Sequence, residues 1–591
     1  MKELEYPFDC DFIIKKKKNI RQQLLENEQK FLKKNIAILH GSETAEISSV
    51  LELFLLNYGI KPKFYELNLK DVSPGKNKEL TDFNPDIIFI HTTNKNITFY
   101  PTLRDTEKDV NQKLTDEFEK FINLWNSLEK NHKSIIIQNN FDYPFYRLLG
   151  NKDATDIHGK VNFITRLNLK FAEYAESHSN FLINDINYQS ASFGIDKWTD
   201  ELYWYMEGYA LAKEAIPTLA FNIANIIKAV YKKKKKAFAL DLDYTLWGGI
   251  VGDDGAENLE VGDKTAEGKI YASFQGYLKE YKDMGVVLTV NSKNNDNQAI
   301  AGLENPNNVL KKEDFVVIKT NWNSKSQNML EIAKELNLGV DSIVFVDDTP
   351  AEREIINQQL KGVATPNIGY DPQYYIKNID KSGFFEAISL FDEDLNKTEV
   401  YKQNKARNDL MLTIDDYNDY LRSLNMIATI DKFKPSYMSR ITQLTNKSNQ
   451  FNLTTKRYTQ AEIEECAESK KYVTLYGKLT DKFGDNGIIS AVIGHIDKKK
   501  MDIDLWIMSC RVLKRNMEFA MMDSLVEEAK NNDVEKIYGH YYPTEKNTMV
   551  KDFYYMQGFT KINEDSEGNT TWELDVKNYD KKNRFIRLEA S

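Results

Sequence analysis

Short continuous runs of apolar residues, each closing on polar or charged side chains, recur along the first two thirds of this chain. Residues 35–41 (NIAILHG), 85–93 (PDIIFIHTT) and 133–140 (KSIIIQNN) are separated by longer amphipathic stretches. Apolar strands that alternate with helices predict a parallel sheet buried on both faces. A second set follows at 235–243 (KKAFALDLD), 285–293 (GVVLTVNSK), 314–322 (DFVVIKTNW) and 341–348 (DSIVFVDD). Open α/β sheets bind ligands outside the carboxyl ends of their strands, so the polar ends of this second set are expected to meet in one site. Residues from about 380 to 421 are polar and helical in pattern, without strong strand signals. Beyond them, alternating strands at 471–479, 487–496 and 502–508 lead into a helix-like stretch at 517–532 and a strand at 535–542. That order predicts an α+β domain. The expected organisation is an α/β multidomain chain: an α/β domain over 1–231, a second one over 232–375, a helical connector over 376–430, and the α+β domain over 431–591.

Composition agrees with several cores. At about 100–200 residues per domain, 591 residues make three or four domains, and 41% apolar with 28% charged residues is a globular mixture. A net charge of −10 argues against nucleic acid as a general partner, and the lysine runs 15–18 and 232–236 are expected to be solvated charge beside other elements. The three cysteines, Cys10, Cys466 and Cys510, have no close metal-ligand spacing and imply no disulfide framework. Nowhere do about 18 apolar residues run together, so no membrane partner is expected and a cytoplasmic location is.

The most informative stretch is Asp241-Leu242-Asp243-Tyr244-Thr245, where two carboxylates stand two residues apart as an apolar strand ends. One carboxylate there can attack phosphorus to form an aspartyl-phosphate, while the other protonates the leaving oxygen and then activates water or another acceptor. Ser292, Lys325 and the pair Asp347-Asp348 follow in order. Ser292 can bond phosphoryl oxygens and Lys325 can offset their charge. The carboxylates Asp241, Asp243, Asp347 and Asp348 are the candidate ligands of a hard cation such as Mg²⁺. Charge compensation is the main physical need of phosphoryl transfer.

In this order the elements resemble the four motifs of the haloacid-dehalogenase (HAD) superfamily. The second aspartate, Asp243, resembles that of its phosphatases and phosphotransferases rather than its dehalogenases. About 45 residues between the first motif and the Ser292 strand leave room for a minimal cap only, which implies an open site. The longer strings ALDLDYTLWGGIVGDDG, SKN at 292–294, FVDDTPAERE, QLTNKSNQFNLTT at 443–455 and SCRVL at 509–513 resemble the FkbH-like branch of that superfamily. Tyr244 departs from the asparagine that the resemblance leads one to expect. The resemblance implies an enzyme that removes phosphate from a 1,3-bisphosphoglycerate-derived substrate and loads the glyceryl group, as a thioester, on an acyl-carrier protein.

The last domain resembles the GNAT acyltransferases, which hold the pyrophosphate of an acyl-coenzyme A on a Gly-rich turn opening a helix. Here the matching stretch is Arg511-Val512-Leu513-Lys514-Arg515-Asn516, without glycine, so the phosphopantetheine arm of a carrier stands beside acyl-CoA as the expected cofactor. Cys510 is a candidate acyl acceptor or a packed strand cysteine, with Arg511 beside it. Asn446, Asn449 and Gln450 recognise polar substrate groups or satisfy loop backbone. His495 and His540 are read as structural. The first domain resembles SGNH hydrolases distantly, with Ser42 after its first strand in the nucleophile position, yet no late D-x-x-H follows: 196–209 (DKWTDELYWYMEGY) has no histidine. A docking or binding module accounts better for that domain. Two other functions stay open: a HAD phosphatase acting on a sugar phosphate or phosphoprotein, and an acyl-CoA-dependent acetyltransferase whose HAD core only tethers substrate.

Overall fold

The structure, a computed structural model, describes all residues except 27–30, 73–76, 232, 390–396, 448–449, 510–511, 545–546 and 590–591. The described residues fall into two compact units, Met1–Phe391 and Asp392–Ser591.

The first unit contains two parallel sheets. Strands β1 (Leu32–His40), β2 (Ile60–Asn68), β3 (Ile87–His91), β4 (Ile135–Asn139) and β5 (Phe181–Asn184) lie in the order β2-β1-β3-β4-β5. The central strand β3 is buried along its whole length, because helices cover both faces. On one side, helices Cys10–Glu26, Ala45–Asn57 and Ile216–Val230 pack against Ile36, Ile38 and Phe89; on the other, Glu107–Asn131 and Lys160–Ser177 pack against Leu39, Ile88 and Ile90. The three strands expected from the sequence are β1, β3 and β4. The two beyond them are edge strands: β2 carries Pro62, which only an edge tolerates, and β5 is four residues long.

Strands β6 (Ala237–Leu240), β7 (Val287–Ser292), β8 (Phe315–Thr320) and β9 (Ile343–Val346) form the second sheet, in the order β8-β7-β6-β9. These are the four apolar runs of the second set. The stretch expected as a connector, 376–430, is shared out: Ile379 and Phe385 belong to the core around this sheet, while helices Lys397–Leu412 and Tyr417–Ser423 belong to the second unit.

The second unit is the expected α+β arrangement. Strands β10 (Ile427–Asp431), β11 (Phe451–Asn452), β12 (Tyr472–Asp481), β13 (Gly484–Asp497), β14 (Lys500–Met508), β15 (Lys536–Tyr541), β16 (Thr560–Glu564), β17 (Thr570–Asp575) and β18 (Arg587–Leu588) make one mixed sheet. Helix Met517–Asn531 buries Met521, Met522 and Leu525 against it. The helix Lys397–Leu412 is pinned to β12 by Arg407, whose guanidinium donates two 2.8 Å bonds to Asp481; Arg515 joins the same carboxylate at 3.1 Å.

Of the described lysines in the two runs, Lys15, Lys16, Lys18, Lys233 and Lys236 are exposed, as their pattern implied, while Lys17, Lys234 and Lys235 are partly buried. Lys17 pairs with Glu46, and Lys235 donates to the carbonyls of Asp341 and Gly362 at 2.7 Å. Nearby, Lys228 lies above the Tyr58 ring and donates to Asn225 Oδ1 and to the carbonyl of Gly383, both at 2.8 Å. Burial pulls the Lys228 ammonium down to about 7 and that of Lys235 to about 8. The unfolded chain therefore binds more protons above these values, so stability contributed at this junction rises as pH climbs from about 7 toward the ordinary lysine range. Chemical denaturation of the full chain between pH 6.5 and 9.5 should show that rise, and Lys228→Met should flatten it. An unchanged slope in the variant would remove Lys228 from the effect.

Candidate active site

The carboxylates and serine of the central site stand at or just beyond the carboxyl ends of strands in the second sheet, and its lysine opens the helix that follows β8. The backbone N–H of Asp241 extends the ladder by donating to the carbonyl of Val346 at 2.9 Å, after which the chain turns, with Thr245 and Leu246 both donating to the carbonyl of Leu242. Tyr244 takes a left-handed φ of +53° in this turn, and its carbonyl accepts from Tyr375 Oη at 3.0 Å and Tyr271 Oη at 3.5 Å. Asparagine adopts that backbone more readily than a bulky side chain does, which is a physical reason for the residue expected there.

The turn sends the two carboxylates to different partners. Asp241 accepts from Ser292 Oγ at 2.5 Å and pairs with Lys325 Nζ at 2.8 Å. Asp243 accepts instead from Trp247 Nε1 at 2.9 Å, the N–H of Val251 at 3.0 Å and Asn294 Nδ2 at 3.0 Å. Asn294 also donates to Ser292 Oγ at 3.2 Å, so one amide ties the second aspartate to the serine.

Lys325 opens the helix Lys325–Glu335, behind the N-cap Ser324, and is 4% exposed. It reaches Asp347 at 2.5 Å as well as Asp241. Burial alone would favour its neutral form, but the two carboxylates outweigh this and hold the ammonium well above its ordinary value. Asp347, fully buried, is raised by burial first and then by the charge of Asp241, against the pull of Lys325; Asp348 is raised for the same two reasons. Both ends of the Lys325–Asp347 pair thus move upward, because Asp347 also faces Asp241. Arg353 fixes this loop by donating to the carbonyls of Asp347 and Asp348, and the N–H of Asp348 donates to Thr245 Oγ1 at 3.2 Å.

Asp241, Asp347 and Asp348 each offer a carboxylate oxygen, and those atoms lie within 4.8 Å of one another. Three carboxylates against one buried lysine leave excess negative charge, and an all-oxygen set suits Mg²⁺. The residues present therefore fit such an ion. Asp243, expected among the ligands, is not part of this group; its oxygens are occupied by the three donors named above. Sequence reasoning had no role for Trp247, Asn294, Thr245 or Arg353, although all four lie in strings it singled out.

Other candidates fare differently. Cys510, Arg511 and Asn449 lie outside the described residues. Asn446 is exposed and its amide donates to the carbonyls of Thr442 and Tyr458, a loop-satisfying role; Gln450 is exposed. In the glycine-free stretch, Lys514 and Asn516 adopt φ of +65° and +62°, the left-handed backbone glycine would favour. His540 bonds Asp502 at 2.8 Å and His495 packs on Tyr472. Ser42 is 6% exposed, and its Oγ has no hydrogen-bond partner. Among the described residues, no helix is long and apolar enough to cross a membrane.

Comparison with known proteins bears on the first unit. Residues 66–228 match the family model of the FkbH N-terminal domain. None of the curated proteins matches. Among solved structures, the N-terminal part of the protein BF1531 from Bacteroides fragilis, described as containing a phosphatase domain complexed with Mg, is 26% identical. It covers 63% of this chain and 99% of its own, with a TM-score of 0.56. The fold around Asp241 is accordingly a HAD-type phosphatase fold. The ribosomal-protein-S18-alanine N-acetyltransferase from Escherichia coli (11% identity, 25% of this chain and 94% of its own, TM-score 0.21) also matches. So does the spermidine N-acetyltransferase from Vibrio cholerae in complex with CoA and spermine (14%, 26% and 97%, TM-score 0.21).

An ion bound only by the folded site raises stability by mass action, about 2.7 kcal/mol at a hundred times its Kd. Mg²⁺ titrated into metal-free protein should raise the unfolding midpoint, and Asp348→Asn, which removes the half-buried carboxylate, should weaken that response. An identical response in the variant would exclude Asp348 as a ligand.

Proposed function

We propose that this chain is a Mg²⁺-dependent phosphotransferase-phosphatase that processes a 1,3-bisphosphoglycerate-derived substrate and passes the glyceryl group to the thiol of an acyl-carrier protein. The observation that carries the phosphoryl half is the Asp241 carboxylate, with Ser292 on one oxygen and Lys325 on the other, beside Asp347 and Asp348. The acyl half is supported by the FkbH N-terminal domain match together with the FkbH-like strings in the second unit.

Asp241 attacks phosphorus and displaces the alkoxide of a phosphomonoester. Asp243, held in place by Trp247, Val251 and Asn294, gives that oxygen a proton and later takes one from the water that cleaves the aspartyl-phosphate. Ser292 and Lys325 transfer their donors from the carboxylate to the phosphoryl oxygens. A Mg²⁺ ion held by Asp241, Asp347 and Asp348 would supply further charge compensation. The acyl phosphate of the same substrate is already activated, so its C–O bond is the one exchanged for a thioester. Either the phosphopantetheine of the carrier or Cys510 is the receiving thiol.

Purified protein, Mg²⁺, 1,3-bisphosphoglycerate and a phosphopantetheinylated carrier should yield phosphate together with a glyceryl-mass adduct on the carrier. Asp241→Asn, an isosteric change, should abolish release of the phosphomonoester phosphate with little effect on folding, leaving only the phosphate that the thiol expels from the acyl phosphate. If the thiol relays the acyl group, Cys510→Ala should stop loading and spare phosphate release. Phosphate without any adduct would point to a phosphatase of sugar phosphates or phosphoproteins. Acetyl transfer from acetyl-CoA that survives Asp241→Asn, with no phosphate released from 1,3-bisphosphoglycerate by the wild-type protein, would make the central domain a substrate tether.

A further inference from the structure

In the first sheet, a chain of buried amides runs across the carboxyl ends of three strands. Gln189 Nε2 and Asn222 Nδ2 both donate to Asn184 Oδ1, at 3.0 and 2.7 Å. Asn184 Nδ2 donates to Asn139 Oδ1 at 2.7 Å, and Asn139 Nδ2 meets His91 Nδ1 at 3.0 Å. Backbone carbonyls fix the direction at both ends: Gln189 Nε2 also donates to the carbonyl of Asp185, and Asn139 Nδ2 to that of Thr92. His91 Nδ1 must therefore accept, which puts the proton of the neutral ring on Nε2. Burial, then the neighbouring His40, keeps the ring neutral by holding its pKa down at about 3.

This polarity is the reverse of what a serine hydrolase needs, where the histidine nitrogen facing the serine must accept its proton. His91 Nε2–H is instead a donor, in a residue with no exposed surface, and it has no acceptor. Ser42 Oγ, at the end of the adjacent strand, is likewise buried without a partner. His40 and His91 are in register across β1 and β3, and the N–H of Gly41 donates to the carbonyl of His91. In a sheet of order β2-β1-β3-β4-β5, β1 and β3 flank the point where the winding reverses and ligands bind. Glu43 and Glu46 follow β1 and Glu66 lies near the end of β2, with Glu46 paired to Lys17 and Glu66 accepting from Thr44 Oγ1, and Lys95 beyond β3 is paired to Glu201, so no basic side chain among the described residues is left here to favour an anion.

We propose that the N-terminal domain carries a binding site, not a hydrolytic one, at the ends of β1 and β3. There, His91 Nε2–H and the Ser42 hydroxyl donate to the uncharged carbonyl of an amide- or ester-bearing ligand. The site is separate from the phosphoryl chemistry and stands or falls without it. Ligand-observed NMR on the full chain, with N-acetylethanolamine as probe and acetate and ethanolamine as controls, tests it. The amide should bind saturably and the two controls should not. His91→Phe and Ser42→Ala should each weaken binding about ten-fold, the effect of one lost buried hydrogen bond. Both variants should keep the wild-type circular dichroism spectrum and unfold cooperatively, which reports an intact fold. Absence of amide binding, equal binding by both variants, or preference for acetate would overturn the proposal. Covalent labelling of Ser42 by a fluorophosphonate would overturn it too, since a nucleophilic serine requires an accepting base.

Discussion

Lys325 places one buried positive charge between carboxylates that leave two neighbouring strands, Asp241 after β6 and Asp347 after β9. Both aspartates are nearly or wholly inaccessible, and two such charges brought together without a cation would be strongly disfavoured. The ammonium thus joins side chains at the point where the backbone ladder between β6 and β9 ends. The other constraints are arranged around that pair: Ser292 takes the free oxygen of Asp241, Thr245 and Arg353 hold the backbone of the Asp347-Asp348 loop, and Asn294 links Ser292 to Asp243. The site is electrostatically tense at rest, with its donors occupied by its own carboxylates.

The first sheet follows the same geometric rule with opposite chemistry. Its polar strand ends, His91, Asn139 and Asn184, are uncharged and bonded to one another in a fixed direction, and the one group left over is His91 Nε2, so the tension there is that of an unmet hydrogen bond rather than of charge. Of the two parallel sheets in one compact unit, one therefore ends in buried ionised side chains and the other in buried neutral ones.

Much of this was legible because strands buried on both faces write themselves as unbroken apolar runs. β3, β4, β7 and β9 are of that kind, and the polar residues that end them mark the two rims. Edge strands were not: β2 alternates and contains Pro62, while β11 is a two-residue pairing with β14 that no periodicity could reveal. In the site, motif order identified Asp241, Ser292, Lys325 and Asp347-Asp348, since charged residues after apolar strands are conspicuous. The separation of Asp243 from the other carboxylates was hidden, because it depends on where the turn at Tyr244 directs each side chain. Asn294 and Trp247 were also hidden, as residues whose importance is an angle and a distance rather than a charge.

The conformation of that turn is imposed from outside it. Tyr244 keeps its ring half exposed, while its strained backbone is gripped through its carbonyl by the hydroxyls of Tyr271 and Tyr375, which are themselves packed in the core. Loop shape is thereby uncoupled from the identity of residue 244. As long as the two clamping tyrosines persist, the position is free to drift and to acquire a side chain suited to whatever approaches the open rim, and a bulky ring there is a variation the scaffold can absorb without losing the divergence of its two aspartates.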